Sequence, residues 1–151
     1  TLKNEIDGSI VYVSDLSEDA LKVVEKNSQI LDSEIHILLG DMCEPFINQN
    51  LKADVIVCNP PYIPTVDTVD EQTLAHEPHL ALFANPSHKF YEEVFKNVNQ
   101  ICNSKYLLAF EIGEDMKDVL ESLINKYLPN VSYNFVKDLY NKYRFLIILS
   151  R

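Results

Sequence analysis

The residues best suited to chemistry are Asn59-Pro60-Pro61-Tyr62, which follow the apolar run Ala53-Asp54-Val55-Ile56-Val57-Cys58. Proline fixes its own φ and pushes the residue before it toward extended backbone, so Asn59 and Pro60 are both kept out of the helical region. Neither proline has an N–H, so the turn offers carbonyl oxygens with little donor character. Asn59 adds a side-chain carbonyl and an NH₂ group. Two convergent acceptors suit a planar NH₂ group whose two hydrogens must be gripped. Tyr62 adds an aromatic face on which a flat amide or base can pack. The same four residues also suit an ordinary loop, with an Asx-turn and a half-buried tyrosine. Two acids, Asp15 and Asp41, follow earlier apolar runs. An acid at a strand end in a nucleotide-binding α/β fold accepts hydrogen bonds from ribose hydroxyls. Taken singly, each aspartate is better read as a turn former; together with the turn on the following strand they favour a site.

Such groups need strand ends to stand on. Five of the six residues at 53–58 suit a buried strand, and Asn-Pro-Pro is a strong signal for its end. Residues 10–14 and 35–39 are predicted to be the two preceding strands. Between them Ser17 is a good N-cap, with Glu18 and Asp19 where the helix dipole favours negative charge. Ala20, Val24 and Leu31, with Leu21 alongside, mark the apolar face of that helix. Residues 63–85 form a long connection, rich in proline and acid, without a clear period, and loops of this length in compact domains are usually functional. Asn85, Pro86 and Ser87 open a helix with Phe90, Val94, Val98 and Ile101 on one side. Residues 106–111 read as a strand closed by Gly113. Met116, Val119, Leu120, Leu123, Ile124 and Tyr127 give the clearest amphipathic helix, stopped by Pro129. Residues 131–136 and 144–149 are two last strands, close enough for an antiparallel pair. Alternation of this kind predicts an α/β domain with a mostly parallel sheet and an antiparallel C-terminal edge.

Composition narrows the partners. A chain of 151 residues, 46% of them hydrophobic, fits a single domain with a proper core, here residues 1–151. No apolar run approaches the length of a membrane span. A net charge of −10 repels phosphate backbones, and no basic patch offsets it, so nucleic acid is a poor direct partner and a basic protein surface a better one. Three widely spaced cysteines, Cys43, Cys58 and Cys102, match neither a disulfide framework nor a zinc site and favour a reducing cytoplasm. His76 and His79 flank Glu77-Pro78 without a third ligand at sensible spacing, so no metal is expected. Cys58 reads as core packing, and Tyr140, Tyr143 and Arg144 as parts of the terminal hairpin. Residues 1–7 are polar, unlike a signal peptide, and no initiator methionine is present, so an N-terminally truncated domain is expected.

The matching pieces of a known family run in order along nearly the whole chain. They are Val13-Ser14-Asp15-Leu16-Ser17-Glu18-Asp19-Ala20-Leu21, Gly40-Asp41, Val57-Cys58-Asn59-Pro60-Pro61-Tyr62-Ile63-Pro64, Glu77-Pro78-His79-Leu80-Ala81-Leu82, Phe90-Tyr91, Glu111-Ile112-Gly113 and Lys137-Asp138-Leu139. On these the chain resembles the catalytic domain of the HemK/PrmC family, which methylates the side-chain amide nitrogen of a glutamine in peptide-chain release factors. Asn-Pro-Pro-Tyr alone is shared with enzymes that methylate the exocyclic amine of adenine; the Glu-Pro-x-Leu-Ala-Leu segment narrows the likeness to the glutamine enzymes. The resemblance implies a Rossmann-like class I methyltransferase fold, S-adenosylmethionine as cofactor and a release factor as protein substrate. It implies that Asp15 holds the ribose and that Asp41-Met42 lie beside the adenine, with Leu16 and Asn59 also on the cofactor side. It further implies that Asn59 and Pro60 bind the substrate NH₂ through their carbonyls, with Pro61 and Tyr62 completing the catalytic turn.

The chain departs from that family in one respect that matters. Its three glycines, Gly8, Gly40 and Gly113, form no Gly-x-Gly pattern, so the glycine-rich cofactor loop is absent and the first strand of the fold is expected to be missing. Phe83-Ala84-Asn85 and Asn103-Ser104-Lys105 replace glycine-containing turns as well. Two other readings therefore stand beside the leading one. One is a nucleic-acid amino-methyltransferase with the same tetrapeptide; the other is a non-catalytic methyltransferase-like interaction module.

Overall fold

The computed structural model describes residues 1–66, 69 and 71–151, and these group into two compact units, 1–50 and 51–151. The first unit runs α1 (Leu2–Glu5), β1 (Tyr12–Asp15), α2 (Glu18–Ile30), β2 (His36–Leu39) and α3 (Glu44–Asn48). β1 and β2 pair in parallel with Tyr12 opposite His36 and Asp15 opposite Leu39, so the two strands end level. The N-cap of α2 forms as its sequence predicts, with the Ser17 hydroxyl accepting the Ala20 N–H at 3.2 Å. Its apolar face is narrower than the spacing suggested. Leu21 is buried, but Leu31 is the C-cap and 54% exposed. Asp32, in left-handed backbone at φ 47°, turns the chain away there. α3 falls in a stretch that read as merely polar; Pro45 near its start suits a first helical turn, where no N–H is required.

The second unit contains β3 (Ala53–Cys58), α4 (Glu71–His76), α5 (His79–Leu82), α6 (Lys89–Ile101), β4 (Cys102–Glu111), α7 (Lys117–Tyr127), β5 (Val131–Lys137) and β6 (Tyr143–Ser150). Its sheet has the order β3-β4-β6-β5, parallel between β3 and β4 and antiparallel thereafter. The expected C-terminal hairpin is therefore present. The core lies where helical and strand periods meet. α6 buries Tyr91, Val94, Phe95, Val98 and Ile101, spaced by three or four residues. β4 and β6 bury alternate residues, with Leu108 directly opposite Ile148 and Phe110 opposite Leu146. The Phe110 ring meets Tyr91 and Phe95 at centroid distances of 5.5 and 5.8 Å, in tilted and edge-on arrangements.

Three expectations are corrected. β3 was read as buried, yet Val55 and Val57 are 49% and 58% exposed. Val55 and Val57 stand on the same face of β3, which is left open, while Ile56 and Cys58 on the other face are half-buried. The connection at 63–85 is not structureless: it holds α4 and α5, both too short to show a helical period. Residues 103–105, read as a turn, lie inside β4. The register jumps there from Ala53 opposite Cys102 to Val55 opposite Leu107, so the intervening residues bulge from the ladder.

Phe110 is 1% exposed at the meeting point of helix and sheet. Phe110→Ala is expected to destabilise this unit by about 3–5 kcal/mol, read as a fall in the urea midpoint of unfolding.

Candidate active site

The predicted site residues fall into two groups, one in each unit. In the first unit Asp15, Leu16, Asp41 and Met42 all stand at the carboxyl end of the parallel pair, because β1 and β2 finish in register. Asp15 is exposed; one carboxylate oxygen accepts the Ser17 N–H at 2.8 Å, and its backbone carbonyl accepts the Gly40 N–H at 3.1 Å. The second carboxylate oxygen is available for a ligand hydroxyl. Leu16 beside it is 56% exposed, an apolar surface next to an acid. The Gly40-Asp41-Met42 turn is tightly made. A Cβ on Gly40 would lie 2.5 Å from Pro45 Cγ, and Met42 sits at φ 38°, a left-handed conformation that methionine rarely adopts. Backbone strain held by its surroundings is common at ligand sites.

In the second unit the Asn59-Pro60-Pro61-Tyr62 turn leaves the carboxyl end of β3. Pro60 is buried, Pro61 and Tyr62 are half-buried and Asn59 is exposed. Among the described residues neither the Asn59 side chain nor the Pro60 carbonyl takes part in a hydrogen bond, so both acceptors are uncommitted. The turn itself is fixed on three sides. β3 holds it upstream. Downstream, the Ile63 N–H donates to the Leu82 carbonyl at 3.0 Å and the Ile63 carbonyl accepts the Ala84 N–H at 2.9 Å. The segment following Glu77-Pro78-His79-Leu80-Ala81-Leu82 thus clamps the turn from beyond the intervening loop. On the third side the Tyr62 hydroxyl donates to Glu111 Oε1 at 3.4 Å, across to the end of β4.

Glu111, Gly113 and Arg144 stand around Tyr62. Glu111 ends β4; its carboxylate meets Tyr62, and its backbone carbonyl accepts the Tyr91 hydroxyl at 2.7 Å. Gly113 leaves room for the Tyr62 ring, since a Cβ there would lie 3.2 Å from Tyr62 Cδ2. Arg144, assigned above to the hairpin alone, is also a neighbour of Tyr62. Burial pushes the Tyr62 hydroxyl above its ordinary range, the Glu111 carboxylate adds to the rise, and the Arg144 guanidinium opposes it. The sequence signal for Glu111 and Gly113 was their place just after an apolar strand, the same signal that picked out Asn59.

Other groups considered from sequence fall away from this turn. Burial pushes the Cys58 thiol up to about 11, so it is protonated near neutral pH and is no nucleophile. His76 closes α4, and His79 opens α5 with its ring edge-on to Phe83 at 5.6 Å. Among the described residues no group of three or more His, Cys, Asp or Glu is placed to hold a metal ion, and no helix is long and apolar enough to cross a membrane. A hollow of about 320 Å³ lined by Asp54, Lys105, Tyr106, Leu107, Leu149, Ser150 and Arg151 lies at the amino end of β3. Ligands of open α/β sheets bind at the carboxyl ends, so this hollow is a poorer candidate than the turn.

No family model matches the chain. It is similar to a release factor glutamine methyltransferase of Mycoplasma mycoides, 36% identical over 147 residues, which are 94% of this chain and 52% of that protein. The proteins of the same name in Staphylococcus aureus and Bacillus subtilis are each 32% identical, over 92% and 99% of this chain and 51% and 53% of theirs. The chain thus spans about half the length of the curated relatives it matches. Among solved structures, a methyltransferase from Pyrococcus furiosus superposes with a TM-score of 0.65 at 14% identity, covering 93% of this chain and 61% of that one. A release factor-specific protein-(glutamine-N5) methyltransferase from Alicyclobacillus acidocaldarius gives 0.55 at 16% identity, over 99% and 85%. These likenesses establish a class I methyltransferase fold.

Two measurements check the local geometry. Because its pKa is raised, Cys58 should be alkylated by iodoacetamide slowly at pH 8 and faster only as pH climbs toward about 11; rapid labelling at pH 7 would contradict its burial. Gly40→Ala should cost about 1–3 kcal/mol in urea unfolding, because the buried Pro45 ring cannot move aside freely.

Proposed function

We propose that this chain, which belongs to the family of release factor glutamine methyltransferases, takes part in methyl transfer from S-adenosylmethionine to the side-chain amide nitrogen of a glutamine in a peptide-chain release factor. The observation that carries this reading is the pair of uncommitted acceptors at Asn59 and Pro60, on a turn whose two prolines carry no N–H, at a strand's carboxyl end. A primary amide is a poor nucleophile because its nitrogen lone pair is delocalised into the carbonyl. Asn59 Oδ1 and the Pro60 carbonyl accept its two N–H bonds and fix the nitrogen in one orientation, while the Tyr62 ring backs the amide plane. Positioning of this kind supplies several kcal/mol by holding a near-attack geometry. As positive charge develops on the nitrogen, both hydrogen bonds strengthen, so the turn binds the transition state better than the ground state. The reaction needs no dedicated base, since the methylated amide can lose its proton to water afterwards.

The cofactor fits the first unit's group in part. Asp15 has a carboxylate oxygen free for a ribose hydroxyl, the exposed Leu16 offers an apolar surface, and Asp41-Met42 form the adjoining turn on the adenine side. S-adenosylmethionine supplies an electrophilic methyl on a sulfonium. The three widely spaced cysteines suit a reducing cytoplasm. The net charge of −10 favours a protein over a nucleic acid as the methyl acceptor.

The test is methylation of a purified release factor by the complete polypeptide that carries these residues, with the modified glutamine mapped by mass spectrometry. Asn59→Ala should reduce turnover by about 10²–10³-fold while calorimetric affinity for S-adenosylmethionine changes little. Near-normal turnover in that variant refutes the clamp, and methylation of RNA in place of the protein refutes the substrate.

A further inference from the structure

The connection between β5 and β6 is a braced tip that holds two large apolar side chains out in solvent. Asp138 Oδ1 accepts the N–H groups of Tyr140 at 2.9 Å and Lys142 at 3.1 Å. The Asp138 N–H donates to the Lys142 carbonyl, its carbonyl accepts the Asn141 N–H, and Asn141 takes the left-handed conformation at φ 64°. Within this frame Leu139 and Tyr140 are 102% and 85% exposed. Val136 and Phe145, paired at the root of the tip, are exposed too. The charged groups around them are already matched. Lys142 Nζ pairs with Glu114 at 2.7 Å, Arg144 Nε with Asp138 Oδ2 at 3.4 Å, and Lys137 Nζ donates to Asn141 Oδ1 at 3.1 Å. What the tip offers outward is therefore apolar surface and not charge. A fixed backbone has little freedom left to lose on binding, which favours such a surface as a contact.

The tip stands at the end of the sheet that carries the Asn59–Tyr62 turn. β4 and β5 both pair antiparallel with β6, so the β5–β6 connection lies beyond the carboxyl end of β4. There Glu111 stands opposite Phe145 and accepts the Tyr62 hydroxyl, and the Ile112 N–H donates to the Arg144 carbonyl at 2.9 Å. At about 3.3 Å per residue and about 4.8 Å between strands, the tip is roughly 10–20 Å from Glu111. A protein interface of about 800 Å² on each side is roughly 30 Å across. A folded protein seated on the turn therefore has the tip within reach, and a lone glutamine side chain does not. We propose that the Leu139–Tyr140 tip is a docking point for the protein that carries the acceptor glutamine, meeting an apolar patch beside the loop that presents the amide. This rests on the function proposed above and adds to it where the protein substrate is held. An apolar contact with its charges already paired suits a protein, whereas a nucleic acid needs free cations for its phosphates. Tyrosine is a favoured interface anchor, which makes Tyr140 the main contact and Leu139 its neighbour.

The experiment uses the complete polypeptide and a purified release factor. The double variant Leu139→Ser, Tyr140→Ser should keep its urea midpoint, because both side chains already stand in solvent. Its KM for the release factor should rise by roughly tenfold to a hundredfold, while kcat at saturation stays within about twofold. Affinity for S-adenosylmethionine should not move. The rise should persist between about 50 and 200 mM salt, a range over which a phosphate-bound partner loses about 10³-fold or more in affinity. A photoreactive benzophenone side chain at position 139 should cross-link to the release factor. The same group at position 130, an exposed site at the opposite end of β5, should not. An unchanged KM, or a rise confined to low salt, would overturn the docking point even where a cross-link forms, and would leave the methylation itself standing. In a polypeptide that methylates no glutamine the cross-link decides. Its formation at 139 alone would uphold the docking point and remove the proposed reaction, and its absence would overturn both.

Discussion

A turn with two successive prolines cannot hold itself. It has no N–H between Asn59 and Tyr62, so the hydrogen bonds that normally close a turn are unavailable, and every restraint must come from outside. β3 provides one, the bonds of Ile63 to Leu82 and Ala84 provide a second, and the hydroxyl of Tyr62 on Glu111 provides a third. The gain is that the turn's acceptors have no internal donors to satisfy. That one constraint explains why a distant segment returns to meet Ile63 and why a side chain at Gly113 would crowd the Tyr62 ring. It also explains why an acid at the end of the neighbouring strand meets a half-buried phenol.

The first unit solves a different problem with similar means. Its two strands end level, which sets Asp15 and the Gly40-Asp41-Met42 turn side by side. The turn is admitted by the absence of a Cβ at Gly40, against which the Pro45 ring of α3 packs, and by a left-handed φ at Met42. Asp15 spends one oxygen on the start of α2, which orients the carboxylate and leaves the other oxygen facing outward. Orientation by a neighbouring N–H is what makes an exposed acid a specific acceptor and not merely a charge.

Neither group looks like acid–base machinery. The thiol nearest the turn is protonated by burial, and the tyrosines around it have their hydroxyls pushed up, Tyr91 by burial foremost. On the proposed reaction this is appropriate. A sulfonium already carries a good leaving group, so the protein's task is to orient a weak nucleophile and to stabilise the charge that grows on it. Fixed carbonyl dipoles do this without reorganising.

Sequence alone determined where the strands end, and with them the residues that stand at those ends. Apolar runs stopped by Asn-Pro-Pro or by Gly-Asp are signals confined to a few neighbouring residues, and so they are legible one segment at a time. The long helices α6 and α7 and the terminal hairpin were readable for the same reason. Only the tertiary structure decided which partners hold the turn. Tyr62 and Glu111 are 49 positions apart, so their meeting depends on β3 and β4 lying side by side in the sheet. Exposure of Val55 and Val57 was likewise set by which face of β3 the tertiary packing covers, because an apolar residue does not itself record what covers it. The helices at 44–48, 71–76 and 79–82 stayed hidden because one turn of helix is too short to repeat a pattern.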